Sequence, residues 1–141
     1  MLKQLFVASA LIALLGLANT AQAQSATNSI TFENKMSVTA DPSSLNVAGT
    51  LSKTPGNVSA LSTDSYIETG IGSVTSFHIT YTAASGGKQC HFDSASFPNT
   101  TGGCTFTKNT QSQGSTFATC TATITSFNEA TCSQSVTFSM Q

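Results

Sequence analysis

The chain has 141 residues, of which only 8% are charged, with five Lys or Arg and six Asp or Glu. From Gln24 onward the cations are Lys35, Lys53, Lys88 and Lys108, with no Arg. That balance leaves no electrostatic footprint for nucleic acid or an anionic lipid surface, and solubility must come from abundant Ser, Thr, Asn and Gln.

The chain opens as a secretory signal peptide over residues 1–23. Lys3 supplies the positive n-region, Leu5 to Leu17 a nearly pure apolar run, and Ala21-Gln22-Ala23 the small residues that a signal peptidase needs. The apolar run is shorter than the roughly 20 residues that span a bilayer. The mature protein is therefore expected to be exported to the periplasm, the cell surface or the medium. It should carry no membrane span and form one disulfide-stabilised domain over residues 24–141.

Beyond Gln24 the apolar period is two. Ile30, Phe32, Met36 and Val38 alternate with polar residues, interrupted only by Asn34, which predicts a strand from Ile30 to Val38 with those four side chains in the core. Asp41-Pro42-Ser43-Ser44 reads as a turn, Leu45 to Leu51 as a weak strand, and Lys53-Thr54-Pro55-Gly56-Asn57 as a turn. Val58 to Leu61 and Tyr66 to Ile71 are short pieces. Val74 to Thr82 is a strand with Phe77, Ile79 and Tyr81 inward and His78, Thr80 and Thr82 outward. Ser85-Gly86-Gly87 turns the chain. Short strands at Gln89–Phe92 and Cys104–Thr107 flank a loop over Ser94–Gly103. Ser115 to Phe127 and Cys132 to Met140 complete the set. About seven or eight short strands without a helical period imply an all-β, antiparallel two-sheet sandwich, immunoglobulin-like in broad outline, with a small barrel as the alternative.

Four cysteines, Cys90, Cys104, Cys120 and Cys132, lie late in the chain. In an exported protein they read as two disulfides. No Cys-x-x-Cys pair offers the usual zinc spacing. Sequential pairing, Cys90 with Cys104 and Cys120 with Cys132, closes the shortest loops and is expected. Nested pairing, Cys104 with Cys120 inside Cys90 with Cys132, is the rival if a hairpin turns near Ser112.

Catalytic signals are sparse. His91 and Asp93 share a strand face, and Ser94 or Ser96 is a conceivable nucleophile, but no Gly-x-Ser-x-Gly elbow is present. The six acids are scattered, no metal-ligating cluster is legible, and no phosphate loop occurs. Neither a cofactor nor a catalytic residue is expected, and His78 and the His91–Asp93 pair read as surface residues. Asn57-Val58-Ser59 and Asn99-Thr100-Thr101 match the N-glycosylation triplet, which Ser- and Thr-rich chains contain by chance.

Thr119, Thr121, Thr123 and Thr125 form a ladder that defines a possible binding face for sugars or ordered water. Such a plane needs matching ladders on neighbouring strands, for which Thr105-x-Thr107 and Thr80-x-Thr82 are candidates. The mature chain has no Trp, whereas sugar platforms usually present aromatic faces.

The segment Ile30-x-Phe32-x-x-x-Met36-x-Val38 resembles the N-terminal donor strand of chaperone–usher pilins, and that resemblance implies self-assembly by strand addition. The late cysteines and the absence of an aromatic penultimate residue depart from the pilin pattern, and docking of this strand within its own chain is the favoured expectation. The whole reading is a small exported, non-enzymatic sandwich acting by binding or assembly as a surface, adhesive or structural subunit. A carbohydrate- or protein-binding module is the alternative and a small hydrolase the least favoured. The partner is an unidentified protein or glycan.

Cleavage is expected after Ala23, and the intact mass of the exported protein should match a chain beginning at Gln24. A species that retains Met1 or the Leu5–Leu17 run contradicts it.

Overall fold

The computed structural model describes residues 24–141, and the expected signal segment lies outside them. The described chain is all-β, a sandwich of two sheets. Its strands are β1 (Thr27–Asn34), β2 (Ala40–Val47), β3 (Thr50–Leu51), β4 (Thr63–Thr69), β5 (Thr75–Ala83), β6 (Gln89–Pro98), β7 (Cys104–Ser112), β8 (Cys120–Asn128) and β9 (Ser133–Met140). The first sheet has the order β3-β4-β1-β9-β8 and the second β2-β5-β6-β7. Among the described residues no helix is long and apolar enough to cross a membrane.

β1 is central in its sheet. It runs antiparallel to β4 and parallel to β9, with Phe32 opposite Asp64 on one side and Phe138 on the other. The N-terminal strand thus docks in its own chain. Its alternation sends Ile30 and Phe32 inward, where Phe32 stacks on Tyr81 at 3.8 Å between ring centroids. Phe92 packs on Phe138 at 4.9 Å and Tyr66 on Phe77 at 5.4 Å, so side chains of both sheets interdigitate. Burying each such side chain contributes roughly 1.5–3 kcal/mol.

The strand ends at Asn34 and does not continue to Val38 as the alternation implied. Asn34 is buried, and its Nδ2 donates to the carbonyls of Val38, Val58 and Ser59 while its Oδ1 accepts from Met36 N. One amide side chain replaces the ladder and turns the backbone. Met36 and Val38 still reach the core, from the turn.

Asp41 to Ser44, expected as a turn, lies inside β2. Pro42 is tolerated because β2 is an edge strand, where a missing N–H faces solvent. A register shift between Ser43 and Asn46, with Ser44 at φ 51°, bends this edge and discourages pairing with another chain. The expected loop Ser94–Gly103 shrinks to Asn99–Gly103, since β6 and β7 form a long hairpin in which Pro98 faces Cys104. Asn99 Oδ1 closes that turn by accepting from Thr101 N and Gly103 N.

Two disulfides form, but in neither the sequential nor the nested pattern. Cys90 bonds Cys120, and Cys104 bonds Cys132. The register explains why. Cys90 lies opposite Ser112 and Cys104 opposite Pro98, at opposite ends of the β6–β7 hairpin. Cys120 pairs with Met140, while Cys132 precedes Ser133 at the other end of β8–β9. β7 and β8 are edge strands of different sheets, so no hairpin near Ser112 places Cys104 opposite Cys120. Each bond instead joins one sheet to the other, one at each end of the β7–β8 edge. This chemistry fits an oxidising compartment outside the cytoplasm.

One end of the interior is polar. Asn28 Nδ2 donates to Ser94 Oγ at 2.8 Å and Glu68 Oε2 at 3.3 Å, and Glu68 Oε1 accepts from Ser76 N at 2.9 Å. Thr75 and Ser96 share a hydroxyl bond, and Ser96 donates to the Cys132 carbonyl. All these side chains except that of Ser76 are buried, so the network ties β1, β4, β5 and β6 together below the aromatic core.

Opening the Cys104–Cys132 bond with paired Ser substitutions should lower unfolding stability by about 3–4 kcal/mol, the loop-entropy value for a sequence separation of 28. Chemical denaturation measures it, and peptide mapping of the unreduced protein should return only the Cys90–Cys120 and Cys104–Cys132 peptides.

Tyr66 and Tyr81 are the two tyrosines of the chain, and both are buried. Burial pushes the Tyr81 phenol up to about 12 from 10.0 and moves Tyr66 further in the same direction. A phenol whose folded pKa is raised contributes stability that is fully present below pH 10 and is lost as pH rises through 12. Tyrosinate absorbance should therefore appear together with loss of the β-sheet circular dichroism signal. Tyrosinate forming near pH 10.0 in a fully folded protein would contradict it.

Candidate functional site

Three surfaces carry chemistry. The broadest is the outer face of the first sheet. Alternation turns Ser29, Thr31 and Glu33 of β1 outward, together with Ser135 and Thr137 of β9, Thr63, Ser65 and Ile67 of β4, and Thr121 and Thr123 of β8. The register aligns these residues in rows. Thr123 faces Thr137, Thr137 faces Thr31, and Thr31 faces Ser65, a line of hydroxyls across four strands. A second row runs Thr121, Ser139, Glu33, Thr63, and a third Ser126, Ser135, Ser29, Ile67. Strand geometry spaces such an array by roughly 4.8 Å across strands and roughly 6.7 Å along them. Neighbouring hydroxyls bond laterally, Thr121 to Ser139 at 2.6 Å and Thr31 to Ser65 at 3.2 Å. Glu33 pairs with Lys35 at 3.0 Å beside the second row.

Of the four threonines read as a ladder, Thr121 and Thr123 stand on this plane within β8, and Thr119 shares their parity just before it. Thr119 precedes β8, and its backbone bonds that of Gln141 in both directions, which extends the β8–β9 register by one pair. Thr125 occupies a bulge between Ile124 and Ser126, and its hydroxyl donates to the Ser135 carbonyl. The matching hydroxyls come from β9, β1 and β4. Thr80-x-Thr82 and Thr105-x-Thr107 belong to β5 and β7 of the other sheet. The outward parity of Ser29, Thr31, Ser135 and Thr137 was readable, but the parallel β1–β9 register that aligns them was not.

The second surface is an aromatic seam between the edge strands β7 and β8. The bulge at Thr125 shifts the parity of β8, so that Phe127 pairs with Gln134 and takes an inward position at the open edge. There it meets Phe106 at 5.1 Å between centroids, and the two rings, with Ile124, Thr125 and Ser126, line a groove of about 500 Å³. Phe127 remains 61% exposed.

The third surface is on the outer face of the second sheet. His78 on β5 lies opposite Asp93 on β6, and Thr80 lies opposite His91. Asp93 Oδ1 is hydrogen-bonded to His78 Nδ1, and His91 Nε2 lies 2.9 Å from the same oxygen. The far imidazole nitrogens meet hydroxyls, His78 Nε2 at 3.1 Å from Ser76 Oγ and His91 Nδ1 at 3.0 Å from Thr80 Oγ1. Asn109 Nδ2 of β7 donates to Asp93 Oδ2 at 3.3 Å.

Ser94 and Ser96, the sequence candidates for a nucleophile, point into the interior, away from His91. Ser76, His78 and Asp93 do follow the connectivity of a hydrolytic triad, a relation hidden in the sequence because Asp93 reaches His78 only across the β5–β6 ladder. Acyl transfer also needs oriented N–H donors for the oxyanion. Here Ser76 N is committed to Glu68, and Ser76 and His78 sit in register with β6 along a sheet surface.

No protein-family model matches the chain, and no curated protein matches it in sequence. Among solved structures the fold is similar to the crystal structure of the lipid binding protein Nakanori. The TM-score is 0.58 and the identity 9%, covering 83% of this chain and 71% of that one. At that identity the likeness is one of fold.

Proposed function

We propose that this is an exported, non-enzymatic sandwich that acts by binding at or outside the cell envelope, as a surface or adhesive subunit whose contact plane is the outer face of the first sheet. The observation that carries the reading is the row Thr123, Thr137, Thr31 and Ser65 in register across four strands. Ser and Thr hydroxyls both donate and accept, which suits a polyhydroxyl partner such as a structural polysaccharide. The scarcity of charge supports the same partner over an ionic one. The lipid-binding description of Nakanori supports a binding role for this fold. Self-assembly through β1 would require breaking the ladders to both β4 and β9.

A second reading places the contact at the aromatic seam, with a lipid surface as partner. Exposed Phe127 beside Phe106 favours it.

Co-sedimentation with insoluble polysaccharides and with neutral phospholipid vesicles separates the two. Thr137→Lys, which sets a charge in the centre of the hydroxyl row, should weaken polysaccharide retention by about tenfold or more, a loss of about 1.4 kcal/mol. Phe127→Ser should leave that retention unchanged. Loss of vesicle binding in Phe127→Ser alone supports the seam instead. Covalent labelling of Ser76 by a fluorophosphonate would overturn the non-enzymatic reading.

A further inference from the structure

The chain contains two histidines. Both stand on the outer face of the second sheet and both face the same carboxylate oxygen. We propose that His78, His91 and Asp93 form a binding site for one divalent transition-metal ion of the zinc and copper class.

The argument begins with register. The His91-x-Asp93 spacing puts both side chains on one face of β6, and β5 places His78 directly opposite Asp93. One ligand atom from each residue then falls within 4.8 Å of the others. Tetrahedral coordination with bonds of about 2.0–2.1 Å requires donors roughly 3.4 Å apart. His91 Nε2 and Asp93 Oδ1 are at 2.9 Å, so small side-chain rotations open the triangle enough to admit an ion. Two imidazoles and one carboxylate are borderline donors that suit zinc, copper or nickel and not calcium or magnesium.

The surroundings are those of a ligand set. A coordinating imidazole needs its far nitrogen to donate a proton to a fixed acceptor, which sets the tautomer and the ring plane. Ser76 Oγ fills that role for His78 and Thr80 Oγ1 for His91. Thr80 is only 4% exposed, so its hydroxyl is held by packing. Asn109 holds the second oxygen of Asp93. The two rings lie nearly parallel, with centroids 6.4 Å apart. The ion would occupy the space between the two imidazoles and Asp93 Oδ1, with its fourth position open to water or to a donor from a partner. A hydrolytic triad through Ser76 would leave His91 and Thr80 unexplained, whereas the metal site uses both. The site lies on the other sheet from the hydroxyl plane, so its test is independent of the proposed function.

The test is isothermal titration of tag-free, chelator-stripped exported protein with Zn2+, followed by NMR of the imidazole protons. One equivalent should bind, and both histidine spin systems should shift. Asp93→Asn and His91→Ala should each weaken binding by about 100-fold or more, and Thr80→Val, which touches no ligand atom, by about 10–100-fold. Unchanged circular dichroism confirms that each variant folds, and the isosteric Asp93→Asn keeps the test valid if His91→Ala does not fold. Failure to bind one equivalent, parental affinity in the His78→Ala/His91→Ala double variant, or preference for Ca2+ over Zn2+ would overturn the proposal.

Discussion

Everything in the sandwich hangs on the two-sided pairing of β1. Take that strand away and the first sheet divides into β3-β4 and β9-β8, with no hydrogen bond between them. The same strand carries Phe32 into the aromatic stack, Asn28 into the buried polar network and Asn34 into the first turn. Its outer residues stand in the middle of the hydroxyl plane. Fold and hydroxyl plane are thus two sides of one eight-residue strand, since alternation forces successive side chains to opposite faces.

The three surfaces divide the molecule by chemistry. The first sheet is hydroxylated, with Glu33 paired to Lys35 on its outer face, the β7–β8 edge aromatic, and the second sheet imidazole- and carboxylate-bearing. Each is produced by a different device. Plain alternation with a parallel register yields the first, a single bulged residue the second, and direct cross-strand opposition the third. None needs a long loop. For a chain with so few charges, placing both histidines against Asp93 concentrates much of its ionisable chemistry at one spot.

Strand identity was legible wherever alternation ran without interruption. Phe77, Ile79 and Tyr81 announce β5, and Val136, Phe138 and Met140 announce β9. Boundaries failed where a side chain overrode the pattern. Met36 and Val38 keep the parity of β1 although Asn34 has already ended it, and Pro42 signals a turn although an edge strand can accommodate it. The hydroxyl plane was half legible, because Thr121 and Thr123 lie in one strand while Thr31, Ser65 and Thr137 join them only through tertiary register. The His78–Asp93 contact was invisible for the same reason. Short-loop entropy favours sequential disulfides, but two hairpins packed on opposite sheets override it by setting each pair of sequential cysteines at opposite ends.

The interleaved disulfides have a consequence for how the chain matures. A chain made from its N-terminus presents Cys90 and Cys104 before Cys120 and Cys132. Indiscriminate oxidation at that stage joins the first two, the pair that the finished structure holds apart. Each native bond joins a cysteine of the β6–β7 hairpin to one at the β8–β9 hairpin. A Cys90–Cys104 bond therefore has to be undone by thiol–disulfide exchange before the native pairs can form.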